Sequence, residues 1–191
     1  IDQARPRIAK HPTHAWLALV QRAVLARILS RAARLRGLFR LFRGALQYLP
    51  LPARLRPLRE LLRTLPPDAS IALAENHPAT TPRRGAVALL AGCVQQVFGS
   101  EINLATVRLL NRAGYDVDIL SNTCCGAIAH HLGQETAALK QVRANIADWS
   151  ARADHWQAII VNASGCGTML KDYAYLLRTE SDISADVAKL A

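Results

Sequence analysis

Four cysteines dominate the chemistry available to this 191-residue chain: Cys93, the adjacent Cys124 and Cys125, and Cys166. They are too few and too clustered for the disulfide framework of a secreted protein. As thiolates they would be nucleophiles and soft metal ligands. Zinc sites usually draw their thiols from pairs two to four residues apart, because neighbouring thiols seldom point at one ion. An adjacent pair suits a centre of several metal atoms, which favours an iron–sulfur cluster over a structural zinc site or a vicinal redox disulfide. A nucleophilic role is the weaker alternative. Ser164-Gly165-Cys166-Gly167-Thr168 loosely imitates the turn that presents a hydrolase nucleophile, with His130 or His131 as base. No oxyanion motif or acid partner accompanies it, and the cysteine pair would go unused. His130 and His131 themselves suit a helix-surface pair near the site better than a ligand set. A dinucleotide site is poorly supported, since Gly92-Cys93-Val94-Gln95-Gln96-Val97 lacks the glycine pattern.

The elements around these thiols should bring them together. Residues 86–91 are a short uncharged run bounded by glycines, as in a buried parallel strand. Residues 115–120 and 158–163 supply two further strands. Helical spacing covers 103–113, 134–149 and 168–177. The resulting β-α-β-α-β-α order is an α/β fold with a small parallel sheet and flanking helices. Cys93 follows the first strand, Cys124 and Cys125 the second, and Cys166 the third. The carboxyl ends of parallel strands share one edge, where ligands bind, so the four thiols should converge there. Gly126 and Gly167 beside them would allow close backbone approach.

The first part of the chain has a different character. Residues 1–84 hold 16 Lys/Arg against 4 Asp/Glu, whereas residues 85–191 hold 8 against 10. The division predicts a basic helical connector and Pro-rich linker over 1–84 and a cysteine-rich module over 85–191. Leu17, Val20, Val24, Ile28, Leu35, Leu38, Phe42 and Leu46 recur at helical steps over 14–48, with arginines opposite and a weak point at Gly37. A short helix is expected over 57–65, and the prolines predict a linker over 66–85. An arginine-rich amphipathic helix suits a protein interface or the surface of an anionic membrane. Nucleic acid is disfavoured, because no aromatics interleave with the arginines to stack bases. No run of about 18 uncharged apolar residues exists to cross a membrane.

Taken together, Gly92-Cys93-Val94-Gln95, Cys124-Cys125-Gly126-Ala127, His130-His131-Leu132-Gly133 and Ala163-Ser164-Gly165-Cys166-Gly167 resemble the cysteine-rich CCG module. Within that family they are similar to the first module of glycolate oxidase (glycolate dehydrogenase) iron–sulfur subunits. Asn145-Ile146-Ala147-Asp148-Trp149 and Lys171-Asp172-Tyr173 share the likeness, which covers residues 86–178.

The resemblance implies an electron-transfer subunit that is not catalytic alone. It would take electrons from flavin-containing subunits oxidising glycolate to glyoxylate and pass them on through iron–sulfur clusters. Cys93, Cys124, Cys125 and Cys166 would be its ligands. Lactate or glycerol-3-phosphate oxidation is the alternative within the class. The implied location is cytoplasmic, with peripheral contact at the inner membrane. Family members also carry a ferredoxin-like domain and a second CCG module, and this chain shows neither, so it is expected to be a piece of a longer protein. One departure stands out: related modules end in C-x-x-C, and here Met169 occupies the last position. A second module would then complete the ligand set.

Overall fold

The structure, a computed structural model, describes residues 16–48, 73–121 and 124–179. The described strands are β1 (Asn76–His77), β2 (Gly85–Leu90), β3 (Tyr115–Ile119) and β4 (Ile159–Val161). They form one sheet in the order β1-β3-β2-β4. β2 pairs in parallel with both β3 and β4, and β1 pairs antiparallel with β3. The described helices are α1 (Trp16–Leu29), α2 (Ala32–Tyr48), α3 (Gln95–Phe98), α4 (Ser100–Arg112), α5 (Ala127–His131), α6 (Glu135–Ser150), α7 (Ser164–Lys171) and α8 (Tyr173–Leu176).

The central strand explains the layering. Side chains alternate across a strand, so β2 feeds two cores. Ala86, Ala88 and Leu90 join Leu120, Val142, Ile146, Trp149, Met169 and Tyr173, which bring α6, α7 and α8 onto one face. Val87 and Leu89 join Val107 and Val117, which bring α4 onto the other. The expected α/β architecture with flanking helices is therefore present.

Several boundaries differ from the sequence expectation. The linker expected over 66–85 contributes an edge strand. Asn76 lies opposite Asp118 and His77 opposite Val117, and Asn111 Nδ2 donates to the His77 carbonyl at 2.9 Å. Two residues are too short to show a strand period, so only the pairing partner reveals β1. The helix expected over 14–48 breaks at Ser30–Arg31, and Gly37 lies inside α2. Packing sets this break. Ala26 on α1 buries against Ala129 and Ala138, while Arg36 on α2 donates to Gln96 of α3 at 3.2 Å. The apolar stripe is also not a single buried face: Leu35 is buried, but Val20 and Val24 are 47% and 49% exposed. The last helix begins at Ser164, not Thr168, and is interrupted at Asp172. The helix expected over 57–65 lies outside the described residues.

Candidate metal centre

The four cysteines are free thiols. Cys93 follows the end of β2 through a turn at Gly92, whose φ of 70° is a left-handed value that glycine adopts without penalty. Cys124 and Cys125 follow β3 and lead into α5 through Gly126, whose φ is 88°. Cys166 is not in the loop after β4, as expected, but in the first turn of α7. That position places it near the partial positive charge of a helix N-terminus. Cys93, Cys124 and Cys125 are buried and Cys166 is half-buried.

The thiols converge as two pairs. Cys93 lies beside Cys124, and Cys125 beside Cys166, each close enough to shift the other's ionisation. Sequence neighbours thus turn to different partners. In each pair one sulfur is favoured as the thiolate. The Cys93 thiol lowers Cys124 to about 7, helped by the Gly126 N–H and opposed by burial. The Cys125 thiol likewise holds Cys166 below its ordinary range. The other two move the opposite way: Cys93 is pushed far up by Cys124 and then by burial, and Cys125 by Cys166 and then by burial. Neighbouring sulfurs raise Cys93 further by charge repulsion. Four thiolates side by side would therefore need positive charge among them.

Among the described residues, no three His, Cys, Asp or Glu side chains are grouped closely enough to hold one ion together. The two-pair arrangement is accordingly unlike a tetrahedral zinc site. His130 and His131 stand on α5 with ring centroids 5.9 Å apart, and His131 is exposed. The two glycines differ. At Gly126 a Cβ would lie at ordinary contact distance, 3.4 Å from the Ala138 carbonyl, and what favours glycine there is the left-handed φ of 88°. At Gly167 a Cβ would meet no protein atom within 4 Å.

Polar side chains that the thiol spacing did not single out support the loops. Asn103, fully buried, donates to the Ala91 carbonyl at 2.8 Å, just before the Cys93 turn. Its Oδ1 accepts from Gln95 at 2.8 Å and from Asn162 at 3.3 Å. Asn145 donates to the Cys124 carbonyl at 2.9 Å, and the Tyr173 hydroxyl donates to the Cys125 carbonyl at 2.8 Å. A groove of about 970 Å³ opens beside β4 and α7, and no cysteine lines it.

With this geometry in view, residues 87–171 match the model of the CCG cysteine-rich domain. This segment belongs to the CCG cysteine-rich domain family. The chain is 33% identical over 162 residues to the glycolate oxidase iron-sulfur subunit of Escherichia coli strain K12, covering 78% of this chain and 40% of that protein. It is 34% identical over 143 residues to a probable glycolate oxidase iron-sulfur subunit of Bacillus subtilis strain 168, covering 70% and 32% respectively. A lactate utilization protein A of Geobacillus kaustophilus is 32% identical over 109 residues, covering 55% of this chain and 43% of that protein. The chain thus spans well under half the length of each of these relatives. No solved structure matches it. The CCG match covers all four cysteines, and the departure at Met169 lies inside it.

Proposed function

We propose that the chain is part of the iron–sulfur subunit of a complex that oxidises a 2-hydroxy acid, glycolate in the first instance. The observation that carries this reading is the gathering of four free thiols where β2, β3 and β4 end, inside the segment that matches the CCG domain. Soft donors in two pairs fit a centre of several metal atoms, and the Gly126 and Ala127 N–H groups give the sulfurs further stabilisation as anions. Cys93, Cys124, Cys125 and Cys166 would hold an iron–sulfur cluster, with any remaining ligands supplied by a second module of the full-length protein. When bound, such a cluster supplies one-electron redox chemistry. The residues of this chain hold the sulfurs at the sheet edge, bury three of them away from water and keep the pairs in register. The substrate half-reaction belongs to flavin-containing partner subunits. Glycolate is preferred to lactate because the glycolate oxidase subunit of Escherichia coli aligns with 78% of this chain, against 55% for the lactate utilization protein.

The basic helices extend the reading to location. Residues 16–48 carry arginines and no acidic residue, and Val20, Val24, Leu25 and Leu41 are exposed there. Exposed apolar side chains among arginines suit an anionic lipid surface, which would place the complex on the cytoplasmic face of a membrane. No described helix is long and apolar enough to cross one.

The test is Cys125→Ser in the full-length subunit, assembled with its flavin partners. Cluster absorption and glycolate-dependent reduction of the physiological acceptor should be lost, while flavin reduction by glycolate survives. Full iron content with full electron transfer would show that Cys125 is not a ligand. Loss of flavin reduction in an intact complex would overturn the division of labour.

A further inference from the structure

We propose that Asn145 and Tyr173 are positioning residues for the cysteine pair, setting the direction in which the Cys125 thiol points. The proposal rests on the ligand role argued above. Asn145 lies on α6 and Tyr173 at the start of α8, and both are buried. A single hydrogen-bonded chain runs through them. Gln141 Nε2 donates to Asn145 Oδ1 at 3.0 Å, which orients the amide. Asn145 Nδ2 then donates to the Cys124 carbonyl at 2.9 Å and to the Tyr173 hydroxyl at 2.8 Å. The Tyr173 hydroxyl, having accepted, donates onward to the Cys125 carbonyl at 2.8 Å. Both N–H donors of the amide and the one donor of the phenol are used.

The geometric consequence follows from peptide planarity. The Cys124 carbonyl belongs to the 124–125 peptide and the Cys125 carbonyl to the 125–126 peptide. Two successive peptide planes define φ and ψ of the residue between them, here Cys125, and so the direction of its Cβ. Tethering both planes to one amide–phenol unit turns the Cys125 thiol toward Cys166 while Cys124 keeps to Cys93. The ring of Tyr173 is itself held by Trp149, with centroids 6.2 Å apart and planes 14° from parallel. The hydroxyl is therefore delivered to one place by packing that does not depend on it. Partners that fix metal ligands in this way usually change metal retention about 10- to 100-fold when removed.

The test uses Tyr173→Phe, which removes the hydroxyl and keeps the stacked ring, in the full-length subunit. Iron loss to a chelator should quicken about 10-fold or more, and the paramagnetic resonance line shape of the reduced centre should change. Asn145→Asp, which keeps the acceptor for Gln141 and removes the donor, should do the same. If Asn145→Asp does not fold, Tyr173→Phe decides alone. A purely structural tyrosine would lower the melting temperature and leave line shape and iron half-life at the wild-type value, and that result overturns the proposal. A second arm uses metal-free protein. Maleimide labelling of Cys125, followed by mass spectrometry, should rise severalfold in Tyr173→Phe relative to Cys93, and an unchanged ratio counts against the clamp. Should the wild-type subunit bind no iron, the ligand reading fails, and the labelling ratio still supports or overturns the clamp separately.

Discussion

Asp116 on β3 shows how single side chains tie the segment before β2 to the sheet. It accepts from Arg83 at 2.6 Å and from the Ala79 N–H at 2.8 Å. The Arg83 bond, followed by the Ala79 N–H, holds its carboxyl below the ordinary 3.8. A depressed folded pKa means that the contribution is present above the unfolded value and fades as the pH falls through the folded one. Asp116→Asn should therefore lower the urea midpoint at pH 7, and the gap to wild type should narrow as the pH falls below the ordinary 3.8 and on through the lower folded value. A gap that stayed the same over that fall would show the pair to be incidental. Asn103 is the buried counterpart, with partners at Ala91, Gln95 and Asn162. Asn103→Ala removes the donor to the buried Ala91 carbonyl, while Gln95 keeps its bond to Asn162 and Asn162 its bond to Thr106, and should cost about 1–3 kcal/mol in urea unfolding. No periodicity marks such residues in a sequence, because the need for each is set by the carbonyl that happens to face it.

At the scale of elements, turns and helix ends carry the thiols. Gly126 is left-handed at the start of α5, and a Cβ there would lie 3.4 Å from the Ala138 carbonyl and 3.5 Å from Met169 Cε. Gly126→Ala should destabilise by roughly 1–2 kcal/mol from backbone conformation alone. It should also weaken the Gly126 N–H bond that favours the Cys124 thiolate. Denaturant titration measures the first effect, and the pH dependence of thiol alkylation in metal-free protein the second. Glycine after two cysteines was visible in the sequence, and the need for a left-handed residue there is a matter of φ. Gly167 has a similar sequence setting and no such constraint, since it lies inside α7 with open space beside it. The helix break at Ser30–Arg31 makes the same point. Gly37 is the weaker helix former, yet the chain turns between the anchors at Ala26 and Arg36.

At the scale of the molecule, the arginine-rich helices and the thiol module meet. α1 packs on the side of α5 and α6 through Ala26, and α2 reaches α3 through Arg36. The faces left outward carry Val20, Val24 and Leu25 with Arg27, all exposed. Vesicles containing anionic lipid should therefore retain the protein at low salt and release it as ionic strength rises, because the attraction is screened over about 10 Å at 0.1 M. Retention on neutral vesicles alone, or none on anionic ones, would refer these helices to a protein partner. The same packing puts α5, which follows the cysteine pair directly, under the basic segment.

The sequence by itself determined the alternation of strands and helices from Gly85 onward, because a buried parallel strand must be a short uncharged run and its helices must be amphipathic. It also determined that thiols following successive parallel strands share one edge, since that is a property of chain direction. Pairing within the edge was decided only in three dimensions. Cys125 turns to Cys166 while Cys124 keeps to Cys93 because Asn145 and Tyr173, 21 and 48 residues beyond the cysteines whose carbonyls they hold, fix the two peptides around Cys125. Those contacts depend on how α6 and α8 pack over β2, through Ile146, Trp149 and Leu90. The edge strand Asn76–His77 was hidden for the same reason: two residues have no period, and their partner in β3 lies about 40 positions away.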